Sequence, residues 1–152
     1  MDKSKNTKTM PESLVASVSV SVRELRVGNL IHYNGSNEDI GKISLLVSDL
    51  IDDLSYCQIN YRRDKKHWMI NLRPVEITEG WLIEFGFKKS KESEWYNLPD
   101  FQIGIVVDEN NDFVFCVVEG MVLKHIKYIH QLQNLYFAIK GLELQDLVLT
   151  EH

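Results

Sequence analysis

The chain reads as an α+β protein: a small curved antiparallel sheet or SH3-like barrel, a short helix, a β-hairpin and one long C-terminal helix. Three observations carry that reading. Short apolar or alternating runs, parted by turn residues, crowd positions 14–75. A well-punctuated helical segment, VEITEGWLIEFGF, follows at 75–87. The clearest helical pattern of all, HIKYIHQLQNLYFAIKG, lies at 125–141.

The first region opens with LVASVSVSV at 14–22. Val18, Val20 and Val22 alternate with Ser17, Ser19 and Ser21, the period of a half-buried strand. Serine on the open face suits an edge strand or one that pairs with another copy. Gly28-Asn29 and Asn34-Gly35 are turn signals around a strand at 30–33. GKISLLV at 41–47 is a further strand, and SDLIDDLS reads as an acidic loop or bulge. YCQINY and HWMINL bracket RRDKK, a hairpin with a basic tip.

In the middle segment Thr78 is the expected N-cap. Ile77 and Leu82 are spaced for a hydrophobic staple. Gly86 suits the left-handed position past the helix, with Phe87 folding back on Leu82. Gly80 costs about 1 kcal/mol against alanine in the first turn. Residues 88–100 read as a polar connector. FQIGIVVD and FVFCVVEG then form a second hairpin, and MVLKH a short strand. LELQDLVL, after the long helix, is a last strand or an irregular tail.

On a helical wheel Ile126, Tyr128, Ile129, Leu132, Leu135, Tyr136, Phe137 and Ile139 fill an apolar arc of roughly 200° at ~3.6 residues per turn. His130, Asn134, Lys127 and Gln131 take the other side. Gln133 projects into the arc. It either ties down a sheet edge or loop backbone, or makes a polar contact in a subunit or ligand interface. Tyr128 and Tyr136 carry hydroxyls that also want partners. These three are candidates for buried polar or interface roles.

At 152 residues the chain has the length of about one domain with a real core. We expect residues 1–13 to be a flexible tail and 14–152 a single α+β domain, with room for a soft division near 75. The composition, 44% hydrophobic and 26% charged, is ordinary for a globular protein. Net charge is −5, which weighs against general nucleic-acid binding. No apolar run approaches the ~18 residues of a membrane span. The start, MDKSKNTKTM, has no apolar stretch of a secretory signal. Cys57 and Cys116 are therefore expected as free, buried thiols of a cytoplasmic protein.

Three stretches together resemble an uncharacterised family of small phage, prophage and mobile-element proteins of gut-type anaerobic bacteria. They are LRVGN at 25–29, VEITEGWLIEFGF at 75–87 and IKYIHQLQNLYFAIKGLEL at 126–144. Order and spacing match over roughly residues 24–144. The terminal stretch is the specific one. Gly80 stands where the family has a second glutamate, and LVASVSVSV is not a feature of the family. The resemblance implies a shared fold and a phage or prophage setting in the cytoplasm of a bacterial host. It implies no activity.

Catalytic and metal-binding patterns are missing. His125 and His130 are five apart, whereas a helix aligns ligands three or four apart. There is no C-x-x-C, no G-x-S-x-G elbow and no phosphate loop. DENNDFVFCVVE at 108–119 mimics a calcium loop but has Phe113 where glycine is needed. No nucleophile–base pair can be named, so we expect no enzyme, no catalytic residue, no metal and no cofactor.

The most polarised stretch is RRDKKH between Tyr61 and Trp68. Tyr61, Arg62, Arg63, Lys65, Lys66, His67 and Trp68 are the ligand- or partner-binding candidates. Basic residues interleaved with aromatics hold phosphates and stack bases. The plain reading is a solvated hairpin tip. The others are a nucleic-acid contact, a nucleotide-type ligand or an acidic protein surface. Residues 92–123, by contrast, hold seven acids and no lysine or arginine. The expectation is a non-catalytic accessory or counter-defence binding protein that contacts a host protein or itself as a homo-oligomer. The alternative is a binder that sequesters a nucleotide-type or other phosphate-bearing small molecule.

Overall fold

The computed structural model describes residues 20–47, 55–98, 102–108 and 114–144. The expected tail, the acidic loop at 48–54, most of the 14–22 segment and the chain after 144 lie outside these residues. Two compact units emerge. The first comprises residues 20–27 and Ile31–Pro74; the second comprises Gly28–Leu30 and the chain from Val75 onward. The architecture is α+β.

The first unit carries, apart from Leu30 at the start of its first strand, a curled antiparallel sheet of four strands in sequence order. These are β1 (Leu30–His32), β2 (Ile40–Val47), β3 (Tyr56–Ile59) and β4 (His67–Trp68). Asn34 and Gly35 both have positive φ, 61° and 65°, and Ser36 N–H donates to the Tyr33 carbonyl at 3.2 Å. Asparagine and glycine tolerate that backbone, so this tight turn is set by sequence. Ile31, Ile43, Cys57, Ile59 and Leu72 pack inward with Leu25, and Tyr33, Leu46 and Met69 lie against them.

Two expectations for this unit are corrected. HWMINL is not one strand: β4 stops at Trp68 and Met69–Asn71 forms a 3-10 turn. The turn redirects the chain so that Arg73 pairs with His32, through backbone bonds of 3.0 and 3.1 Å. That bridge curls the sheet back on its first strand. At the N-terminal end Val22 does not continue a strand. It begins a 3-10 turn, Val22–Glu24, capped by the Ser21 hydroxyl, which accepts from Arg23 N–H at 3.3 Å.

The second unit holds a five-stranded antiparallel sheet, again in sequence order. Its strands are β5 (Lys88–Lys89), β6 (Tyr96–Asn97), β7 (Ile103–Val107), β8 (Val114–Val118) and β9 (Met121–Leu123). The polar connector at 88–100 therefore supplies two strands that the sequence hid. Each is two residues long, too short to show a period of two. The same unit contains helix α1 (Glu79–Glu84) and helix α2 (Ile129–Lys140).

Helix α1 is held by its ends. Thr78 Oγ1 accepts from Trp81 N–H at 3.3 Å. Phe87 N–H donates to Leu82 O at 2.9 Å across Gly86, whose φ is 85°. Leu82, Phe85 and Phe87 are buried. Capping at both termini is what lets so short a helix persist.

Helix α2 begins at Ile129, four residues later than the pattern suggests. The approach is extended instead: Tyr128 bridges Glu76, and Ile129 N–H donates to Val75 O at 2.8 Å. Gln131 Oε1 accepts from the N–H groups of Lys127 and Tyr128, at 2.8 and 3.1 Å. The buried face is Ile129, Leu132, Gln133 and Tyr136, a spacing of three and four. The arc is thus narrower than the wheel implies, since Phe137 and Ile139 are 41% and 47% exposed. His130 also departs from expectation: it is buried rather than on an open polar side.

Candidate functional site

The β3–β4 hairpin of the first unit carries the basic stretch. Its corner is fixed by Ser44, which sits where the β2–β3 register shifts between Ile43 and Leu45. The Ser44 hydroxyl donates to Gln58 O at 3.1 Å and accepts from Tyr61 N–H at 2.9 Å. Asn60 adds a second tie: its N–H donates to Lys42 O and its Oδ1 accepts from Lys42 N–H, both at 2.9 Å. A bulge that re-aims a strand end is a common device for presenting a side chain.

Asn60 and Tyr61 both lie in the left-handed region, at φ 54° and 63°. Asparagine tolerates this, but for a bulky tyrosine it is an outlier. Arg62 N–H donates to Ile59 O at 3.0 Å and closes the turn. The result is a strained backbone that leaves the Tyr61 ring 75% exposed. Gln58 Nε2 donates to Arg63 O at 3.4 Å farther along the loop.

Arg62, Arg63, Lys65 and Lys66 are all exposed. Lys66 Nζ lies 4.6 Å from the centre of the Tyr56 ring. Tyr56 in turn meets Trp68 edge-on at 5.7 Å, opposite it in the strand register. Trp68 keeps 42% of its surface in solvent. His67 is not part of this exposed group. It is buried and meets the Tyr33 ring edge-on at 5.0 Å. Burial, helped by the charge of Lys65, holds its pKa below the ordinary histidine value. The sequence stretch of seven candidates therefore resolves into six surface residues and one core histidine.

The three helix candidates lie in the second unit. Gln133 is wholly buried. Its Oε1 accepts from Leu30 N–H at 2.9 Å, and its Nε2 donates to Gly28 O at 3.3 Å. Asn29 Nδ2 donates to Asn134 Oδ1 beside it, at 2.8 Å. Tyr128 is half-buried with its ring stacked on His130. Tyr136 is buried, which raises its phenol pKa. These side chains secure the fold of their own unit.

A concave feature of the second unit escaped the sequence reading. On the five-stranded sheet a shallow groove of about 350 Å³ is lined by Trp95, Asn97, Gln102, Gly104, Val117 and Glu119, among others. Gly104 inside β7 was the available signal, since a lone strand glycine often marks a close approach. Here the approaching group is the Trp95 ring: a Cβ at position 104 would lie 2.8 Å from Trp95 Cε3.

Among the described residues no group of three or more His, Cys, Asp or Glu is arranged to hold a metal ion. Likewise no helix among them is long and apolar enough to cross a membrane. Cys57 and Cys116 are free and fully buried. Burial pushes both thiols up to about 11. No protein-family model, curated protein or solved structure matches the chain.

Proposed function

We propose that the chain is a non-catalytic binding protein that acts by protein contact, with the β3–β4 hairpin as its recognition element. The supporting observation is the pairing of Tyr61 and Trp68, 75% and 42% exposed, with four exposed cations on one fixed loop. Tyrosine, tryptophan and arginine are the residues that dominate binding energy at interfaces. Four cations against the single Asp64 select an acidic partner surface and speed encounter with it. The strained Tyr61 backbone favours a presented side chain over a passive turn.

A phage or prophage accessory role, including counter-defence, rests on the three sequence stretches that resemble that family. In that setting the acidic partner is a host protein. The test is a complex isolated with the intact chain and then challenged with Arg62→Glu/Arg63→Glu and with Tyr61→Ala. The expected result is a defined complex that weakens at least tenfold with either variant and with added salt. A partnerless chain, or a complex indifferent to both variants, overturns the proposal.

A second reading is sequestration of a phosphate-bearing small molecule. One feature favours it: Arg62, Arg63 and Lys65 are exposed within four positions of one another. Lys66 over Tyr56 and the buried His67 leave that ligand a smaller set of contacts than the sequence offered. Thermal shift with a nucleotide panel separates the two readings. Stabilisation of about 2.7 kcal/mol is expected at a hundred times Kd.

A further inference from the structure

The groove on the second unit's sheet is independent of the hairpin. Antiparallel register places Asn97, Gly104 and Val117 of its lining on one face. Asn97 pairs with Gly104, and Gly104 with Val117. Carrying the same registers one residue outward sets Trp95 across from Val106 and, where the chain turns past β8 at Glu119 (φ 49°), Gln102 across from Glu119. The backbone bond from Glu119 N–H to Gln102 O at 3.2 Å fits the latter. Strand spacing then puts the Glu119 Cα roughly 8 Å from Gly104, the residue the Trp95 ring overlies. Phe115, on the same face, holds that ring edge-on at 6.1 Å.

The chemistry of the lining is one-sided. It combines an indole, two side-chain amides, the apolar Ile103 and Val117 and one carboxylate, Glu119, with no cation among the described residues. The sequence around it, 92–123, contains no lysine or arginine at all. On the adjoining edge strand Lys88, opposite Asn97, shares this face but lies outside the lining, whereas Lys89, opposite Tyr96, is paired to Glu94 at 2.8 Å. Such a lining repels anions and attracts cations, and an indole is the best aromatic partner for one.

We infer that this groove is a recognition site for an arginine side chain presented by a peptide. A guanidinium is planar, so it stacks on Trp95 while its donors reach carboxylate and amide oxygens. Glu119 supplies the charge-assisted acceptor. Asn97 and Gln102 each offer an amide oxygen. Lysine fits less well, because its compact ammonium cannot stack and donate in one plane. Gly104 is the enabling residue, since any side chain there would displace the ring.

The test is NMR titration of the full chain with N-acetylarginine amide. The Trp95 indole signal is assigned among the three tryptophans by Trp95→Phe. Saturable shifts of the Trp95 indole and the Gly120 amide are expected in the millimolar range, as suits an open groove. N-acetylcitrulline amide, the uncharged isostere, should bind at least fivefold more weakly. Glu119→Gln, an exposed position whose change preserves shape, should weaken arginine by a similar factor. N-acetyllysine amide and methyl glucoside serve as the other arms. Equal response to citrulline, tighter binding of the glucoside, or indifference to Glu119→Gln overturns the assignment.

Discussion

Gln133 grips the backbone of Leu30: its Oε1 accepts the Leu30 N–H at 2.9 Å, while its Nε2 donates to Gly28 O at 3.3 Å. One side chain thus satisfies a donor and an acceptor of a segment more than a hundred residues earlier. Gln133→Leu keeps the volume but strips both partners. Each of the two stranded groups costs about 1–3 kcal/mol, so a loss of about 2–6 kcal/mol is expected. Urea unfolding followed by a probe in the second unit measures it. A change below about 1 kcal/mol would show that water replaces the amide.

His67 makes stability depend on pH. Its folded-state pKa lies below the ordinary value, from burial first and the Lys65 charge second. The unfolded chain therefore binds the proton more readily than the folded one. The full contribution is present above an unfolded pKa of about 6.5 and declines as pH falls through it, levelling off below the folded pKa. Urea midpoints of the first unit between pH 7.5 and 5 should fall with acid. His67→Phe, which keeps an edge-on ring for Tyr33, should flatten that slope.

Cys57 and Cys116 should be chemically silent. Both are fully buried, with thiols pushed up to about 11. The thiolate is the reactive form and is scarce at neutral pH. A disulfide reagent should label neither in the folded chain and both in denaturant. Rapid labelling of one thiol in native buffer would reveal local opening of its unit.

How much of this was legible in the sequence differs by element. The caps of α1 were readable because Thr78, Gly86 and Phe87 act within one turn of chain. The Asn34-Gly35 turn was readable for the same reason. The β5–β6 pair was not, because Lys88–Lys89 and Tyr96–Asn97 owe their pairing to a neighbouring strand. His130 misled the wheel because burial of a polar ring depends on what packs over it. The basic loop announced its composition but not its division: only the fold reveals that His67 turns inward against Tyr33 while Tyr61 stays out. Gly104 was visible as an isolated glycine, yet only the register shows that Trp95 occupies the space it leaves.

Tyr61 offers the sharpest separation of stability from recognition. Its φ of 63° is strained for an aromatic residue, and Ser44 and the closing Arg62 bond hold it there. Asparagine adopts that backbone more readily, as its neighbour Asn60 does. Tyr61→Asn should therefore stabilise the first unit by about 1 kcal/mol. The same change removes the most exposed aromatic of the loop and should weaken partner binding at least tenfold. Ser44→Ala should act oppositely on the fold, costing about 1 kcal/mol through the lost hydroxyl bonds. Urea unfolding and partner affinity, measured on both variants, decide the matter. If Tyr61→Asn left affinity intact, the ring would be a bystander and the recognition role of the hairpin would pass to its cations and Trp68.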